Sequence, residues 1–233
     1  MTLRDYTPAR VALGRTGNAP SLREILAFQL AHARARDAVH APFNAHALAA
    51  ALNGQIVQSA ARDRHQYLTR PDLGRQLHPA SRTLLHAQFQ PPPADLAIIL
   101  ADGLSPLATE RHAPPLLRHL WPLLENWTLS PPVIAQQARV AIGDEIGALL
   151  QVRAVLILIG ERPGLTSPDS LGAYLTWSPR PGRTDADRNC VSNIRPEGLP
   201  PEAAAHLLAI LLNAARQTGL SGVKLKPPAS LVS

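Results

Sequence analysis

Two acidic residues stand directly beyond the ends of predicted buried strands and are the first candidates for chemistry. The apolar run Leu96–Ala101 is followed by Asp102 and a glycine, and the run Ala154–Ile159 is followed by a glycine and Glu161. In open α/β sheets, ligands bind beyond the carboxyl ends of the strands, where a glycine lets the backbone approach a ligand closely. The pattern therefore indicates two carboxylates at a ligand crevice. It is equally consistent with acids that cap helices or organise loops.

The loop that carries Glu161, GERPGLTSP, contains two prolines, which favour a rigid, preformed loop. No strand end carries the G-x-G-x-x-G turn of a dinucleotide site, and no Walker-type G-x-x-x-x-G-K is present. The nine histidines show no H-x-x-x-H spacing, and there is no C-x-x-C. We therefore expect neither a nicotinamide or flavin dinucleotide nor a zinc ion, and no other metal site.

Cys190 is the only cysteine and therefore the only thiol candidate for nucleophilic catalysis. A cysteine beside arginine and asparagine is more often a small packed residue than a nucleophile, and spacing alone does not decide between the two. A single cysteine excludes an internal disulfide and favours a reducing, intracellular compartment. The apolar runs are too short to cross a membrane, and the first ten residues have no secretory apolar stretch, so we expect no membrane association.

The composition permits a buried core and argues against a nucleic-acid partner. Hydrophobic residues make up 45% of the 233 residues and charged residues 17%, which is typical of a folded domain. The net charge of +6 suggests a polyanionic partner, but all but two of the 23 basic residues are arginines scattered along the chain. Aromatic residues, which stack on bases, amount to only 4%. We therefore expect no nucleic-acid binding.

Prolines 91–93 divide the chain into two parts of different character. Residues 1–92 are predicted to form a helical N-terminal segment without strands. Its first helix begins at the N-cap Ser21, with Glu24 placed for a capping box and an apolar stripe that includes Leu22, Leu26 and Leu30. A second helix is predicted within NAHALAAALNGQIV.

Residues 93–233 alternate between buried strands and helices. Strands are predicted at 96–101, 139–142, 154–159 and 173–177. Helices are predicted from Ser105 until Pro114 and Pro115 interrupt the first of them, then over 116–127, from about residue 144, and from Pro200 to a C-cap at Gly219. This alternation indicates βαβ units and an α/β fold with a mostly parallel sheet and helices on both faces.

Four stretches of the chain resemble the small subunit of ethanolamine ammonia-lyase. They are ARVALGRTGNAPSLREILAFQLAHARARDAVH, RVAIGDEIG, VLILIGERPGLTSPDSLGAYLTWSPRPGRTDADRNCVSNIRPEG and the closing GLSGVKLK. Together they cover most of the chain, whereas residues 53–90 and the triple proline are less distinctive. The resemblance implies a two-subunit, adenosylcobalamin-dependent enzyme that converts ethanolamine to acetaldehyde and ammonia by a radical mechanism. Members work either in the cytoplasm or inside a bacterial microcompartment.

The resemblance also implies a division of labour between the subunits. In this family the large subunit holds the substrate in a β/α barrel, and the small subunit covers the cofactor with a Rossmann-like domain, here residues 93–233. The implied cobalamin contacts fall on Val140, Glu161 and Cys190. The cofactor carries the hard chemistry, so we expect no catalytic residue in this chain. Both the N-terminal helix at 21–39 and the proline-bounded edges of the elements are candidate contact surfaces for the large subunit, and the sequence does not choose between them.

The three implied contacts suit a corrin, but each has an ordinary structural alternative. Glu161 can accept hydrogen bonds from amide or ribose groups, Val140 on its own short strand can form an apolar wall, and Cys190 is small and polarizable. Alternatively, Val140 is plain core, Glu161 pairs with Arg162 or Arg188, and Cys190 is a packing residue.

Two other classes of function are open from the residues alone. One is a free-standing α/β hydrolase or transferase that uses Cys190 or Ser170 as its nucleophile. The other is a basic nucleic-acid-binding module, whose affinity would fall steeply with salt. The first predicts turnover by the chain alone, whereas the ammonia-lyase reading predicts activity only with a large partner and adenosylcobalamin.

Overall fold

A computed structural model describes residues 3, 6–7, 11–88 and 93–225. The elements in chain order are β1 (Arg15–Thr16), β2 (Ala19–Pro20), α1 (Leu22–His40), α2 (Ala45–Leu52), β3 (Gln55–Gln58), α3 (Arg64–Thr69), α4 (Pro79–Gln88), β4 (Leu96–Ala101), α5 (Pro106–Leu120), β5 (Val133–Gln136), α6 (Ile142–Leu149), β6 (Ala154–Gly160), β7 (Leu171–Trp177), β8 (Arg188–Ile194) and α7 (Pro201–Thr218). Pro91 and Pro92, at the predicted boundary between the two parts of the chain, lie outside the described residues.

Six strands form one sheet in the order β3-β5-β4-β6-β7-β8. The first four strands run parallel to one another. Beyond β6, strand β7 runs antiparallel to β6, and β8 runs antiparallel to β7. Strand β3 pairs with β5, with Gln55 opposite Val133. It comes from the segment in which the sequence predicts only helices, so that prediction is wrong at residues 55–58.

The sheet is mixed, whereas the sequence predicts a mostly parallel one, and the difference lies in the connection from β6 to β7. Only the ten residues 161–170 join these strands, and none of them is helical. A parallel connection needs a crossover of a dozen or more residues. The chain therefore turns back, and Ile157 of β6 lies opposite Tyr174 of β7.

Alternate residues of the central strands pack against helices on opposite faces of the sheet. On β4, Leu96, Ile98 and Leu100 belong to the core cluster that contains residues of α2, α5 and α7. Ala97 and Ile99 belong to the cluster that contains residues of α4 and α6. Strands β4 and β6 are buried along their whole length, which is typical of strands covered on both faces. The α/β class with helices on both faces is confirmed.

Strand β5 lies at Val133–Gln136, and the prediction of a strand at 139–142 is wrong. Residues 137–141 form the turn into α6, which begins at Ile142, close to the predicted start. The alternating apolar residues around Val140 resemble a strand, but they mark the entry to a short helix whose buried residues include Ile142 and Ile146.

Helix α5 continues through Pro114 and Pro115, which the sequence predicts to interrupt it. Each proline removes a backbone donor and disfavours the helix locally. However, Leu116, Leu117 and Leu120 beyond the prolines are fully buried. Burying a leucine side chain contributes about 1.5–3 kcal/mol, so packing against the sheet offsets the local cost.

Helix α1 begins as predicted, because the Ser21 hydroxyl accepts a hydrogen bond from the Glu24 N–H at 3.4 Å. Its apolar stripe is not covered by the described residues, since Leu22, Leu26 and Leu30 are 70%, 55% and 52% exposed. Among the described helices, none is both long and apolar enough to cross a membrane.

Candidate functional site

Strands β4 and β6 end side by side, and the loops that follow them are in contact. The Leu104 N–H donates to the Gly160 carbonyl at 2.9 Å. Gly103 has a left-handed backbone (φ +56°), and a Cβ there would lie 2.2 Å from the Gly160 oxygen; a Cβ on Gly160 would lie 2.0 Å from the Ser105 oxygen. The two glycines are therefore required for the loops to pack on each other, and not only for a ligand to approach.

A pocket of about 420 Å³ opens at this carboxyl edge of the sheet. It is lined by Tyr67, Gly103, Leu104, Arg139, Val140, Ile159, Gly160, Glu161, Arg162 and Tyr174. The location beyond the ends of parallel strands is where α/β sheets bind ligands. In the part of the chain that the structure describes, no three His, Cys, Asp or Glu side chains are grouped to hold a metal ion.

Glu161 connects the end of β6 to β7 and β8. Its N–H donates to the Ser170 carbonyl at 2.9 Å, and its Oε2 accepts from the Ser170 hydroxyl at 2.5 Å and from the Asn193 N–H at 3.2 Å. No described residue donates to Oε1, which leaves that oxygen as an acceptor for a ligand. The alternative in which Glu161 pairs with Arg162 or Arg188 has no support among the described ion pairs.

Val140 lies in the turn between β5 and α6, and not on a strand of its own. It is half-buried, packs against the core cluster on the face of α4 and α6, and also lines the pocket. The core role and the role of an apolar pocket wall are therefore compatible for this residue.

Asp102 holds the turn that carries Val140. Its side chain is 1% exposed; Oδ2 accepts from the Gln137 N–H at 2.8 Å and Oδ1 from the Ala138 N–H at 2.9 Å. The Arg64 guanidinium lies 3.5 Å from Oδ2. This arrangement supports the loop-organising role for Asp102, because both carboxylate oxygens are occupied by the protein.

Asp102 gives the fold a specific pH dependence. Burial raises the pKa of Asp102 from 3.8 to about 6, against the opposing effects of the Ala138 N–H and of Arg64. The native fold therefore holds this proton more tightly than the unfolded chain, and the stability that Asp102 contributes is present below pH 4 and lost as the pH rises to 6. Asp102→Asn should remove that decline in unfolding free energy, as measured by urea unfolding across this range. Identical pH profiles for the two proteins would contradict the assignment.

Cys190 lies on β8 directly opposite Tyr174, which lines the pocket, but it is not itself among the lining residues. The residue as a whole is exposed, yet partial burial of its thiol raises the pKa despite a hydrogen bond with Tyr174, and the charge of Glu161 raises it further. Because the thiolate is the nucleophile, a raised pKa argues against nucleophilic catalysis by Cys190.

A cluster of Tyr67, Arg64 and Arg139 adjoins the pocket and is missed by the sequence analysis. Tyr67 on α3 is fully buried, and the guanidinium carbons of Arg139 and Arg64 lie 4.3 Å and 4.7 Å from its ring centroid, within cation–π range. Burial raises the pKa of Tyr67, so the phenol is neutral. No pattern in the polar segment around Tyr67 signals this contact, because the fold brings residues 67 and 139 together.

Comparison with known proteins confirms the family resemblance of the sequence motifs. The family model described as ethanolamine ammonia-lyase light chain (EutC) matches residues 1–226. The chain is 53% identical over 242 residues to the ethanolamine ammonia-lyase small subunit of Pseudomonas paraeruginosa, which covers 100% of this chain and 89% of the relative. Identity is 53% over 238 residues to that of Ralstonia nicotianae and 54% over 239 residues to that of Azotobacter vinelandii, each covering 98% of this chain and 88% of the relative. Since the match spans nearly the whole sequence, the chain belongs to the ethanolamine ammonia-lyase light-chain family.

Proposed function

We propose that this chain is the small subunit of an adenosylcobalamin-dependent ethanolamine ammonia-lyase and that it supplies one side of the cofactor site. The observation that carries the proposal is the pocket at the carboxyl edge of the sheet, which Val140 and Glu161 both line. Cys190 lies one strand beyond the lining residue Tyr174. Three positions widely separated in sequence, which the family resemblance implies as cobalamin contacts, thus lie in one region of the surface.

The residues around the pocket fit a corrinoid, which has an apolar body fringed with amide groups and a nucleotide tail. Val140 offers an apolar wall, and Glu161 offers Oε1 as an acceptor for an amide NH2. The pocket of about 420 Å³ is of the size that encloses drug-like ligands. A cobalamin is larger than such ligands, so this chain would hold only part of it and a second polypeptide would enclose the rest.

When bound, adenosylcobalamin supplies the radical chemistry that converts ethanolamine to acetaldehyde and ammonia. The residues of this chain would bind and orient the cofactor. Glu161 is fixed by Ser170 and Asn193, and the turn that carries Val140 is fixed by Asp102. Both are therefore in place before a ligand arrives, which reduces the entropic cost of binding. We assign no catalytic acid, base or nucleophile to this chain.

We further propose that the parallel half of the sheet, β3-β5-β4-β6, is a Rossmann-like unit to which β7 and β8 are added. Its parallel strands and covered faces support this view. Residues 93–233 would then form the cobalamin-binding domain, with β3 supplied by the helical segment 1–92.

The partner in this proposal is the large subunit of the enzyme, which the small-subunit name of the relatives implies. The exposed apolar stripe of α1 supports such a contact, because a stripe of this kind is unfavourable in water and typical of an interface. We propose that the assembled enzyme works in the cytoplasm or in a bacterial microcompartment.

Co-expression of the tagged chain with a large subunit of the family tests the proposal. We expect the large subunit to co-purify, the complex to bind cobalamin with its visible absorption, and ethanolamine turnover to require both chains and adenosylcobalamin. The tagged chain expressed alone is the control and should show no turnover. Turnover by the chain alone, or a complex that binds no cobalamin, would refute the proposal.

A further inference from the structure

The cluster beside Tyr67 contains buried hydrogen-bond donors that no described residue satisfies. Arg139 Nε and Tyr67 Oη are buried and have no hydrogen-bond partner among the described residues, and both residues are among those that line the pocket. The Arg139 guanidinium donates from Nη2 to the Tyr67 carbonyl, and this hydrogen bond is long at 3.4 Å. A buried donor without an acceptor is unfavourable, so these groups favour a ligand that brings an acceptor.

The cluster also carries a positive charge without a counterion. The charge of Arg64 is balanced by Asp102, whose Oδ2 lies 3.5 Å from Arg64 Nη1. Arg139 forms no ion pair with any described carboxylate, although Glu161 lines the same pocket. An arginine is charged at every relevant pH, so the acceptor that best suits this position is an anion.

The Arg139 side chain is held in place before any ligand binds. Its guanidinium lies against the Tyr67 ring, and the backbone N–H of Arg139 donates to the Gly74 carbonyl at 2.8 Å. A Cβ on Gly74 would lie 2.9 Å from Arg139 Cγ and 3.1 Å from Tyr67 Cδ2. The absence of a side chain at Gly74 thus provides the space in which Arg139 lies on the ring, and a guanidinium fixed in this way loses little entropy when it binds.

We infer that Arg139, held against the ring of Tyr67, forms a phosphate-binding subsite within the pocket. The inference rests on the proposed function, in which the ligand is a cobalamin, because the phosphodiester of its nucleotide tail is the anionic group of that ligand. The uncharged amides of the corrin fringe would not compensate the charge of Arg139. Free inorganic phosphate offers the same chemistry, so the experiment separates the two sources.

Corrinoids with and without the nucleotide tail provide the test on the assembled two-subunit complex. Arg139→Met should weaken the binding of cyanocobalamin by about 10- to 100-fold, the loss expected for a charge-assisted hydrogen bond. It should leave the affinity for dicyanocobinamide, which lacks the phosphate, nearly unchanged. The matched control is Arg162→Met, which removes an exposed guanidinium from the same pocket and should affect both ligands only slightly.

The outcomes distinguish this inference from the proposed function. If Arg139→Met weakens both corrinoids equally or neither, or if Arg162→Met has the same effect, the phosphate subsite is refuted while the cobalamin site stands. If the unmodified complex binds neither corrinoid, the proposed function fails and this inference fails with it. If phosphorus NMR detects phosphate binding that requires Arg139 while cyanocobalamin affinity does not, the occupant is free phosphate and the assignment to the tail is wrong. Retained binding of dicyanocobinamide by Arg139→Met shows that the variant is folded.

Discussion

Replacing Asp144 with alanine is expected to lower the free energy of unfolding by about 3–5 kcal/mol. Arg188 donates to both carboxylate oxygens of Asp144 at 2.7 Å, and the two side chains are 3% and 4% exposed. Without Asp144, the guanidinium keeps the Thr176 hydroxyl and the Arg183 carbonyl as hydrogen-bond acceptors. Its remaining ion-pair partner, Asp185 at 3.7 Å, is fully exposed to solvent. A buried charge that loses its buried counterion is strongly destabilising, and a solvent-exposed carboxylate compensates little of the loss. Urea unfolding followed by far-ultraviolet circular dichroism measures the loss.

Two controls separate this effect from a general loss of charge. Asp72→Ala removes an ion pair with Arg70 in which both side chains are more than half exposed, and it should change stability little. The double variant Asp144→Leu with Arg188→Met replaces the buried pair by apolar groups and should recover much of the lost stability, because no buried charge is left unpaired. A loss for Asp144→Ala as small as that for Asp72→Ala would contradict the prediction.

The pair of Asp144 and Arg188 also supports the candidate site. Asp144 lies in the first turn of α6, directly after the turn that carries Val140, and Arg188 begins β8, two positions before Cys190. The ion pair therefore ties α6, which follows the turn of Val140, to β8, which carries Cys190. We expect cobalamin affinity of the complex to fall together with stability in Asp144→Ala.

The sequence predicts those elements whose periodicity is long and unambiguous. Strands β4 and β6 are continuous apolar runs, and α7 has proline at its start, a leucine stripe and a left-handed Gly219 at its C-cap. These predictions are confirmed, because the local pattern and the tertiary packing favour the same structure.

The missed strands have patterns that local reasoning does not distinguish from loops. Strand β3, with the sequence QIVQ, is short and lies at one edge of the sheet, and β8, with the sequence RNCVSNI, lies at the other edge with several residues exposed. Edge strands are buried less, so their apolar content is low. The β6–β7 hairpin, by contrast, is predictable from the sequence, since residues 161–170 are too few for a crossover helix.

The candidate site was partly predictable for a similar reason. Glu161 directly follows a recognisable strand, so its place at the carboxyl edge of the sheet follows from the pattern. The sequence predicts Val140 on a strand that does not form, and only the family resemblance implies it as a cofactor contact. Tyr67 and Arg139 carry no local signal, because their contact depends on how α3 packs beside the turn after β5.

Replacing Glu161 with glutamine is expected to weaken cobalamin binding by the assembled complex about 10- to 100-fold with little change in stability. The amide oxygen of glutamine can replace Oε2 as the acceptor for the Ser170 hydroxyl and the Asn193 N–H. The amide NH2 then takes the place of Oε1. A donor would thus face the amide donors of the corrin fringe, where the native protein presents a charged acceptor. Titration followed by the visible spectrum of cobalamin measures the affinity.

Ser170→Ala is the matched control, because it removes the hydroxyl that binds Oε2 and leaves Oε1 unchanged. If Glu161 acts through Oε1 on the ligand, Ser170→Ala should lower stability more than affinity, and Glu161→Gln should lower affinity more than stability. If instead Glu161 serves only to connect β6 with β7 and β8, both variants should affect stability alone. Unchanged cobalamin affinity in Glu161→Gln would therefore reduce this carboxylate to a structural residue and leave the proposed cofactor site without its principal acceptor.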